Sequence, residues 1–582
     1  MSDSSPVVGD FSVLGTALAI AIGLATLGVR LYGIQVLESD RYADAGDVQS
    51  VRSVLTGGER GRILDRNGNI LAENRKAVSI VLTPDEFKRS TRNATMSGIT
   101  GAIDRVASAV GYRPAITDRA IERHVRQSPA MPMFVWRDID DATLAKFCER
   151  EPGFPGFSIE ETFERRYPYG SAAAHVIGYV GRDTADAGES RYHYSAQEMK
   201  GRSGIESYYD GYLRGVPGET RIVVDSRGYR VESKVVVEPK YGLDLRLALD
   251  IGLQLAVERQ LAGETGACAA IDPRNGDVLA LASSPSFDLN SFVPTLSREL
   301  YTRYADDPAE PLLNRASGGS YAPGSTFKPV TALAGLKAGY PEDAEYECTG
   351  AFAYGSMQLR CARRWGHGLL DIRHAIKESC NTFFCNLGAD IGTNALVSAA
   401  RAFGLGSKTG LDLGVDAAGV VPDAQWKMRT YREKWYYGDL VQMSIGQGML
   451  LTTPLQMARV AGAIGTGYLV LPRLNLEIPV ERTKLPFAEK DLAVVRDGMR
   501  MVVDGGTGRL GGEGVPVAVA GKTGTAEVGK GERRRKNAWF IAYAPAENPS
   551  FAIAMVIENG DSGGGTTAPK VDAILKRVFG DG

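Results

Sequence analysis

The sequence predicts an α+β protein with a single N-terminal transmembrane helix and at least two domains. The chain has 582 residues, well above the size of one domain. One uncharged apolar segment lies near the N-terminus, over Phe11–Val29. In the second half, strand-like apolar segments stand at both ends of a long stretch with helical periodicity. This order is typical of an antiparallel sheet flanked by helices.

The apolar segment Phe11–Val29 has 19 residues, enough to cross the hydrocarbon core of a bilayer. A buried helix or a cleaved signal peptide would have a similar composition. Asp3 and Asp10 precede the segment and no basic residue does, whereas a signal peptide begins with a basic stretch. We therefore predict an uncleaved transmembrane helix over 11–33 and a short cytoplasmic tail over 1–10. The flanking charges do not set the orientation, because long domains cross the membrane regardless of them.

The stretch after the anchor mixes short strands, turns and helices. Asn67-Gly68 is a tight-turn signal, so Arg60–Gly68 is predicted to form a strand and a turn. The periodicity of the next segments also predicts their structure. We expect helices around 99–110, 118–125 and 203–213, strands over 235–247 and a helix over 250–261.

From about residue 265 the pattern indicates a sheet with helices. Asp272–Asp277 lies between apolar runs within 268–282 and predicts a hairpin. The apolar runs 538–543 and 551–557 predict a second hairpin. The basic run 533–536 is interpreted as a solvated loop. Helical segments are expected between the hairpins, around 325–338, 371–391 and 453–465.

Composition excludes some classes of function. The formal net charge of −2 provides no excess of positive charge of the kind that nucleic-acid binding requires. The chain has five histidines, and none stands in a context that would form a Ser-His-Asp triad. Hydrophobic residues make up 44% of the chain, which is ordinary for a globular protein and leaves the motifs to decide its chemistry.

A serine and a lysine form the first catalytic motif. Ser325 and Lys328 are three residues apart in Pro-Gly-Ser-Thr-Phe-Lys. A helix that begins at Pro323-Gly324 would place both side chains on one face. A serine hydroxyl becomes a nucleophile when a neutral amine takes its proton, and burial lowers a lysine pKa so that the amine can be neutral. The spacing by itself is common by chance.

Two later motifs support this interpretation. Ser379-Cys380-Asn381 is an S-x-N motif, and Lys522-Thr523-Gly524-Thr525 follows the apolar run Val515–Ala520. The three motifs occur in the order that serine acyl-transferases of the penicillin-recognising type require. In the alternative interpretation, Ser379 is only a helix cap and Lys522 only a surface strand residue.

With these motifs in place, the chain resembles the class B penicillin-binding proteins and, within them, the penicillin-binding protein 2 subgroup. The matching segments extend over nearly the whole chain. They are Arg60–Gly68, Arg166–Gly170, His175–Gly181, Gly204–Glu206, Trp365–Gly368, Gly446–Gly448 and Thr453-Pro454. The resemblance implies an elongated pedestal domain of the dimerisation type over 34–240. It also implies a penicillin-binding transpeptidase domain over 241–582, with an antiparallel sheet flanked by helices.

The resemblance implies a peptidoglycan D,D-transpeptidase of the serine-type D-Ala-D-Ala carboxypeptidase class, which crosslinks stem peptides during cell elongation and maintains cell shape. Ser325 would attack the carbonyl between two terminal D-alanines and form an acyl-enzyme, with Lys328 as the base. Ser379 would relay a proton to the departing amine. Asn381 would hydrogen-bond the substrate backbone and Lys328. Lys522 would attract the substrate carboxylate and keep Lys328 deprotonated.

The Lys522 motif would also bind the donor peptide. Thr523 and Thr525 can donate hydroxyl hydrogen bonds to its carboxylate, and Gly524 would let it lie along the strand edge as an added strand. The backbone N–H groups of Ser325 and Thr525 would form an oxyanion hole, where one donor contributes about 3 kcal/mol. β-Lactams, whose strained amide resembles the D-Ala-D-Ala bond, would acylate the same site.

Alternative functions remain at this stage. A division transpeptidase of the same class is the first, although the Trp-Gly-His-Gly segment and the cysteines favour elongation. A β-lactamase is less well supported: Glu310–Asn314 spells E-x-x-L-N but precedes Ser325, whereas class A β-lactamases carry this pattern downstream of the nucleophile. A β-lactam sensor would need a cytoplasmic signalling domain, for which we expect no room before the anchor.

Four side chains near the S-x-N motif suggest a structural zinc site. Cys348, Cys361, His367 and Cys380 fall within 33 residues and form a ligand set suited to tetrahedral zinc. The resemblance supports zinc there, although Asp343 or Glu345 could replace Cys348. The alternative is a Cys348–Cys361 disulfide with His367 as a core residue. The remaining cysteines are expected to be buried and apolar: Cys148, Cys268 and Cys385.

The resemblance further implies where the protein acts and with what. It places the chain in the inner (plasma) membrane as a single-pass protein, with the catalytic domain on the periplasmic side. Its implied partners are peptidoglycan stem peptides, β-lactams, a glycan polymerase of the SEDS family and scaffold proteins of the rod complex. No nucleic acid partner is expected.

Overall fold

The structure, a computed structural model, describes most of the chain. The described residues are 10–38, 51–56, 58–150, 153–182, 193–195, 199–225, 229–293, 295–355, 357–510, 515–529 and 535–580. The predicted cytoplasmic tail lies outside them except for Asp10. The basic run 533–536 also lies outside them except for Arg535 and Lys536, which begin a strand and so differ from the predicted loop.

An exposed apolar helix opens the described chain. Helix α1 spans Asp10–Tyr32 and continues as a π-helical turn over Gly33–Leu37. Within the described residues, one helical segment is long and apolar enough to cross a membrane, over Leu14–Leu37 with a mean hydropathy of 1.8. Its residues are not buried against the rest of the protein. This exposure excludes the alternative of a buried core helix.

The first domain is built from short strands and helices. Its strands are β1 Val51–Thr56, β2 Ile63–Leu64, β3 Ile70–Leu82, β4 Met133–Trp136, β5 Phe157–Arg166, β6 Val180–Arg182, β7 His193–Ser195, β8 Met199–Gly201, β9 Gly218–Val224, β10 Arg230–Val237 and β11 Leu245–Arg246. Its helices are α2 Arg92–Val110, α3 Asp118–Gln127, α4 Asp141–Cys148, α5 Ala174–Ile177, α6 Gly204–Tyr208 and α7 Asp210–Arg214. The predicted helices at 99–110, 118–125 and 203–213 are therefore present.

A buried ion network joins distant parts of this domain. Glu206 has no exposed surface and accepts hydrogen bonds from the guanidinium groups of Arg60 and Arg165, at 2.7 Å each. Arg60 also donates to Asp210 at 2.8 Å. Because buried charges are tolerated only when they are paired, this network holds β5 and α6 to the segment before β2.

The second domain contains one large sheet and many helices. Its strands are β12 Gly266–Ile271, β13 Val278–Ser284, β14 Tyr346–Cys348, β15 Ala351–Tyr354, β16 Met357–Arg360, β17 Gly368–Leu370, β18 Tyr468–Val470, β19 Arg482–Lys484, β20 Ala520–Val528, β21 Arg535–Ala544 and β22 Phe551–Glu558. Its helices are α8 Ile251–Leu261, α9 Arg298–Ala305, α10 Lys328–Lys337, α11 Ile372–Lys377, α12 Asn381–Ala402, α13 Ala424–Tyr431, α14 Tyr437–Ser444, α15 Pro454–Thr466, α16 Glu489–Gly505 and α17 Ala568–Phe579.

The large sheet confirms the predicted arrangement. Five antiparallel strands follow the order β13-β12-β22-β21-β20, and both predicted hairpins are present. Successive residues of β12 belong to two different cores: Ala267 and Ala269 pack with α10, α12 and α15, and Cys268 and Ala270 pack with α8 and α17. Helices therefore cover both faces, and β20 lies at one edge of the sheet.

The two domains meet through hydrogen bonds between folded segments. Tyr209 Oη donates to Asp412 Oδ2 at 2.8 Å. The ring of His175 contacts the carbonyl of Pro311 at 2.7 Å, and burial lowers the pKa of this imidazole to about 4. These contacts attach the first domain to the segments of the second domain that carry Pro311 and Asp412.

Candidate active site

Ser325 lies on a turn that the rest of the domain holds in place. A 3₁₀ helix over Gly324–Phe327 leads directly into α10. Gly324 has a φ of +56°, a conformation that side-chain-bearing residues rarely adopt. Its N–H donates to Gly446 O at 2.8 Å, and Trp539 Nε1 donates to Ala322 O at 3.0 Å. The turn leaves Ser325 half-buried while the residues beside it are buried.

Lys328 is fully buried and points at the S-x-N motif. Its Nζ donates to Ser379 O at 2.6 Å, to Asn381 Oδ1 at 2.8 Å and to Ser379 Oγ at 3.3 Å. Burial is the main cause that lowers the pKa of Lys328, to about 8. A useful fraction of this amine is therefore neutral near physiological pH. Within the described residues, the Ser325 hydroxyl has no hydrogen-bond partner, so it is available to a ligand.

Ser379 stands between two helices with an unusual backbone. The sequence predicts continuous helix around 371–391, but the structure breaks it into α11 and α12. Ser379 has a φ of +54° at the break, and Cys380 caps α12 by accepting a hydrogen bond from the N–H of Phe383. At this break the Ser379 hydroxyl lies within hydrogen-bond distance of the amines of both Lys328 and Lys522. Such strain is often found at functional sites.

Lys522 approaches the same hydroxyl from β20. Its Nζ donates to Ser379 Oγ at 2.8 Å and to Thr523 O at 3.0 Å. Burial and then the nearby charge of Lys328 lower the pKa of Lys522 well below its usual value. The structure thus brings together the side chains of Lys328, Ser379, Asn381 and Lys522, as the motifs predict.

The rest of the K-T-G-T motif lies beside the Ser325 turn. A Cβ on Gly324 would stand 3.0 Å from Thr525 O, so the N–H groups of Ser325 and Thr525 belong to adjacent backbone. Gly524 packs closely as well, because a Cβ there would lie 2.9 Å from Thr326 Cγ2. Gly524 is therefore required by packing against the turn, in addition to the open strand edge that the sequence suggests.

The structure adds two residues that the motifs alone do not identify. Thr507 Oγ1 lies 2.8 Å from Thr523 Oγ1, and Gln447 Nε2 donates to Thr525 O at 3.3 Å. If Thr507 donates, the Thr523 hydroxyl keeps its own proton for a substrate carboxylate. Gln447 lies in a segment that the family resemblance marks, whereas nothing in the local sequence distinguishes Thr507.

The four predicted zinc ligands form one cluster. Their ligand atoms all lie within 4.8 Å of one another in Cys348, Cys361, His367 and Cys380. Cys361 Sγ is 3.6 Å from Cys348 Sγ and 3.7 Å from Cys380 Sγ, and Cys348 Sγ is 3.4 Å from His367 Nδ1. Asp343 and Glu345 are exposed and are not part of this group.

The cysteines bear on two other expectations. All six are free, so Cys348 and Cys361 do not form the alternative disulfide. Cys268 and Cys385 are buried, as expected. The expectation for Cys148 is wrong: it is exposed at the end of α4, because the helix turns Thr143 and Phe147 to the core instead.

Two family descriptions match the chain. The penicillin-binding protein dimerisation domain matches residues 56–247, and the penicillin binding protein transpeptidase domain matches residues 266–576. The chain belongs to the penicillin-binding proteins. The exact domain boundaries predicted above, at 34–240 and 241–582, stay predictions.

Similar proteins agree with this family. The peptidoglycan D,D-transpeptidase MrdA of Acinetobacter baumannii is 33% identical over 575 residues, which cover 94% of this chain and 84% of that protein. Penicillin-binding protein PBP2 of Helicobacter pylori, in complex with MreC, has a TM-score of 0.79 at 27% identity and covers 91% of this chain and 98% of that one. A chain of a peptidoglycan synthase complex that coordinates polymerization and crosslinking has a TM-score of 0.72 at 30% identity, over 98% of this chain and 99% of that one.

Proposed function

We propose that this chain is a peptidoglycan D,D-transpeptidase that crosslinks stem peptides during cell elongation. The observation that carries the proposal is the meeting of both lysine amines at one serine hydroxyl: Lys328 and Lys522 lie 3.3 and 2.8 Å from Ser379 Oγ. This arrangement can move a proton between the attacking hydroxyl of Ser325 and a leaving amine, which acyl transfer from a peptide requires.

Acylation uses the side chains of Ser325, Lys328 and Ser379 as follows. Ser325 Oγ bonds to the carbonyl carbon between the two terminal D-alanines, and its proton passes to neutral Lys328. The carbon–nitrogen bond then breaks, and the terminal D-alanine leaves after its amine receives a proton through Ser379. Asn381, held by Lys328 and by its own donation to Arg360 O at 2.8 Å, is oriented to bind the peptide backbone.

Transfer to the second peptide reverses these roles. The amine of an acceptor stem peptide attacks the ester carbonyl and loses a proton to the group formed by Lys328, Ser379 and Lys522. The bond between carbon and Ser325 Oγ breaks, and Oγ regains a proton.

The hydroxyls of Thr523 and Thr525 hold the donor carboxylate during acylation. The arriving negative charge favours the protonated form of Lys522, which offsets the lowering of its pKa by burial. β-Lactams acylate Ser325 by the same attack and remain attached.

Labelling with a fluorescent penicillin tests this assignment. The parent chain should be labelled once, and Ser325→Ala should not be labelled; labelling of that variant would refute the nucleophile. Stoichiometric acylation without steady hydrolysis of a chromogenic β-lactam would also exclude a β-lactamase. The Glu310–Asn314 pattern offers no support for hydrolysis, because the Glu310 side chain is exposed and Asn314 Oδ1 accepts a hydrogen bond from the N–H of Ser317 in its own turn.

The cellular role includes a membrane anchor and partners. We place the anchor in the inner membrane with the catalytic domain on the periplasmic side, where peptidoglycan is made. The solved complex of a similar protein with MreC supports a scaffold partner, and the peptidoglycan synthase complex that coordinates polymerization and crosslinking supports a glycan polymerase partner. We propose that this polymerase is of the SEDS family. Depletion of the protein should give round cells; filaments would indicate the alternative role in division.

We also propose a structural zinc ion bound by Cys348, Cys361, His367 and Cys380. Tetrahedral zinc with sulfur ligands at about 2.3 Å places two sulfurs about 3.8 Å apart. The sulfur separations of 3.6 and 3.7 Å match this value, whereas a disulfide would require about 2 Å. The residues present therefore fit zinc, which would supply charge neutralisation and a rigid link among three segments: the end of β14, the loop with Cys361 and His367, and the S-x-N segment.

Metal analysis tests the zinc proposal. Because Cys380 lies between Ser379 and Asn381, a bound ion would stabilise the segment that carries both. Cys380→Ser should lower the zinc content and the melting temperature of the purified chain. Cys148→Ser, at the exposed cysteine, is the matched control and should change neither. Absence of zinc in the parent chain would remove the proposal.

A further inference from the structure

The loop that carries Cys361 and His367 presents an exposed tryptophan. Trp365 is 88% exposed, more than any other large hydrophobic residue described. The guanidinium of Arg364 lies 5.5 Å from the centre of its ring. Tryptophan is usually well buried, and an exposed aromatic ring held in place is a frequent feature of binding surfaces.

The backbone around Trp365 is held on both sides. The N–H of Gly366 donates to Arg363 O at 3.1 Å, and the N–H of His367 donates to Cys348 O at 3.1 Å. Gly350 packs so closely that a Cβ there would lie 2.4 Å from Arg364 O. The ring therefore projects from a constrained loop, and its exposure is not that of a free chain end.

The same loop is attached to the catalytic S-x-N segment. Asn381 Nδ2 donates to Arg360 O at 2.8 Å, and Arg363 pairs with Glu378 at 3.0 Å, directly before Ser379. Cys361 Sγ is 3.7 Å from Cys380 Sγ. The loop thus reaches the active site through the S-x-N segment, whereas β20 reaches it through Lys522. Two substrates could approach along these two directions.

We propose that Trp365 and Arg364 bind the acceptor strand of peptidoglycan, a glycan that carries an anionic stem peptide. The inference rests on the proposed transpeptidase function and names where its second substrate binds. The aromatic face suits the apolar face of a sugar ring. Arg360 and Arg364 are exposed and form no ion pair within the described residues, so their charge complements the peptide carboxylates.

The proposal separates acceptor binding from acylation. Ser325 is acylated by the donor, which lies along β20, so a change at Trp365 should leave acylation unaltered. The acyl-enzyme can then transfer to any amine that reaches its carbonyl. A muropeptide acceptor would use the Trp365 surface, whereas free D-alanine is too small to touch it. The ratio of the two products therefore measures how much the Trp365 surface contributes to binding of the muropeptide acceptor.

The experiment uses the full chain in detergent with a thioester analogue of the D-Ala-D-Ala donor. A disaccharide–peptide muropeptide and free D-alanine compete as acceptors, and mass spectrometry measures both products. We expect Trp365→Ala to reduce transfer to the muropeptide about fivefold without changing transfer to D-alanine, which corresponds to the loss of one aromatic contact. Trp365→Phe should restore most of the transfer, and Arg364→Ala should also reduce it.

Tyr241→Ala, at a side chain that is 74% exposed on the segment joining the two domains, is the matched control and should leave the ratio unchanged. An unchanged ratio in Trp365→Ala would overturn the proposal, as would an equal loss with both acceptors, which would mean a structural role. Loss of cell-shape complementation with an unchanged ratio would assign the surface to a protein partner and also overturn it. Failure of the parent chain to be labelled by penicillin would instead refute the proposed function.

Discussion

Lys328 determines how acylation should depend on pH. Burial lowers the pKa of this amine to about 8, so it becomes neutral, and able to accept the Ser325 proton, as the pH rises through that value. We expect the second-order rate of acylation by a fluorescent penicillin to rise between about pH 6.5 and 9 and then to level off. Stopped-time labelling at several pH values measures it.

A substitution of the same residue provides the control. Lys328→Arg keeps the positive charge but cannot lose a proton in this range, so its acylation should be about 100-fold slower or worse and should not rise with pH. A parent profile that is flat or falls across the range would contradict the role of Lys328 as the base.

Thr507 is a second residue with a testable effect. Thr507→Val removes the hydroxyl that lies 2.8 Å from Thr523 Oγ1 while nearly keeping the side-chain volume. One hydrogen bond contributes about 1 kcal/mol, so we expect about fivefold slower acylation by β-lactams that carry a carboxylate. Thr507→Ser keeps the hydroxyl and should react like the parent. Equal rates in the Val and Ser variants would show that Thr507 does not position Thr523.

At the scale of elements, the position of the turn that carries Ser325 depends on close packing between its backbone and the backbone of β20. Gly324 has a φ of +56°, and a Cβ added at this position would lie 3.0 Å from Thr525 O. Gly324→Ala should therefore displace Ser325 from β20 and lower the acylation rate at least about tenfold. Labelling kinetics measure the change.

Gly339 offers a matched control at the end of α10. It has a φ of +93°, but a Cβ there would meet no atom within 4 Å. Gly339→Ala should cost about 1 kcal/mol of stability from backbone strain and leave acylation unchanged. If both variants react equally fast, crowding against Thr525 does not position the nucleophile.

At the scale of the whole molecule, the first domain depends on charges that distant segments bring together. Glu206 is buried and pairs with Arg60 and Arg165 at 2.7 Å each. Glu206→Gln would leave the buried guanidinium of Arg165 without a counter-charge and Arg60 paired with Asp210 alone, so we expect a loss of about 3–5 kcal/mol of stability and a lower melting temperature. Differential scanning calorimetry of the full chain measures it.

An exposed pair tests whether burial causes this effect. Glu161 lies 3.3 Å from Lys76 with both side chains well exposed. Glu161→Gln removes the same charge but should change the stability by less than about 0.5 kcal/mol. Similar melting temperatures for the two variants would contradict the role of the buried network.

The sequence alone determined the residue types and their order along the chain. The apolar anchor, the hairpins and the S-x-x-K, S-x-N and K-T-G-T motifs depend on neighbours within a few residues, so local composition and spacing could reveal them. The cysteine cluster was predictable in the same way, because its four members fall within 33 residues.

Only the tertiary structure decided which groups meet. Lys522 and Ser379 are 143 positions apart, and their contact depends on how β20 packs beside the break between α11 and α12. The positive φ of Ser379, the pairing of Thr507 with Thr523 and the exposure of Trp365 have the same origin. Such contacts are set by the packing of distant segments into one core, which no local pattern encodes.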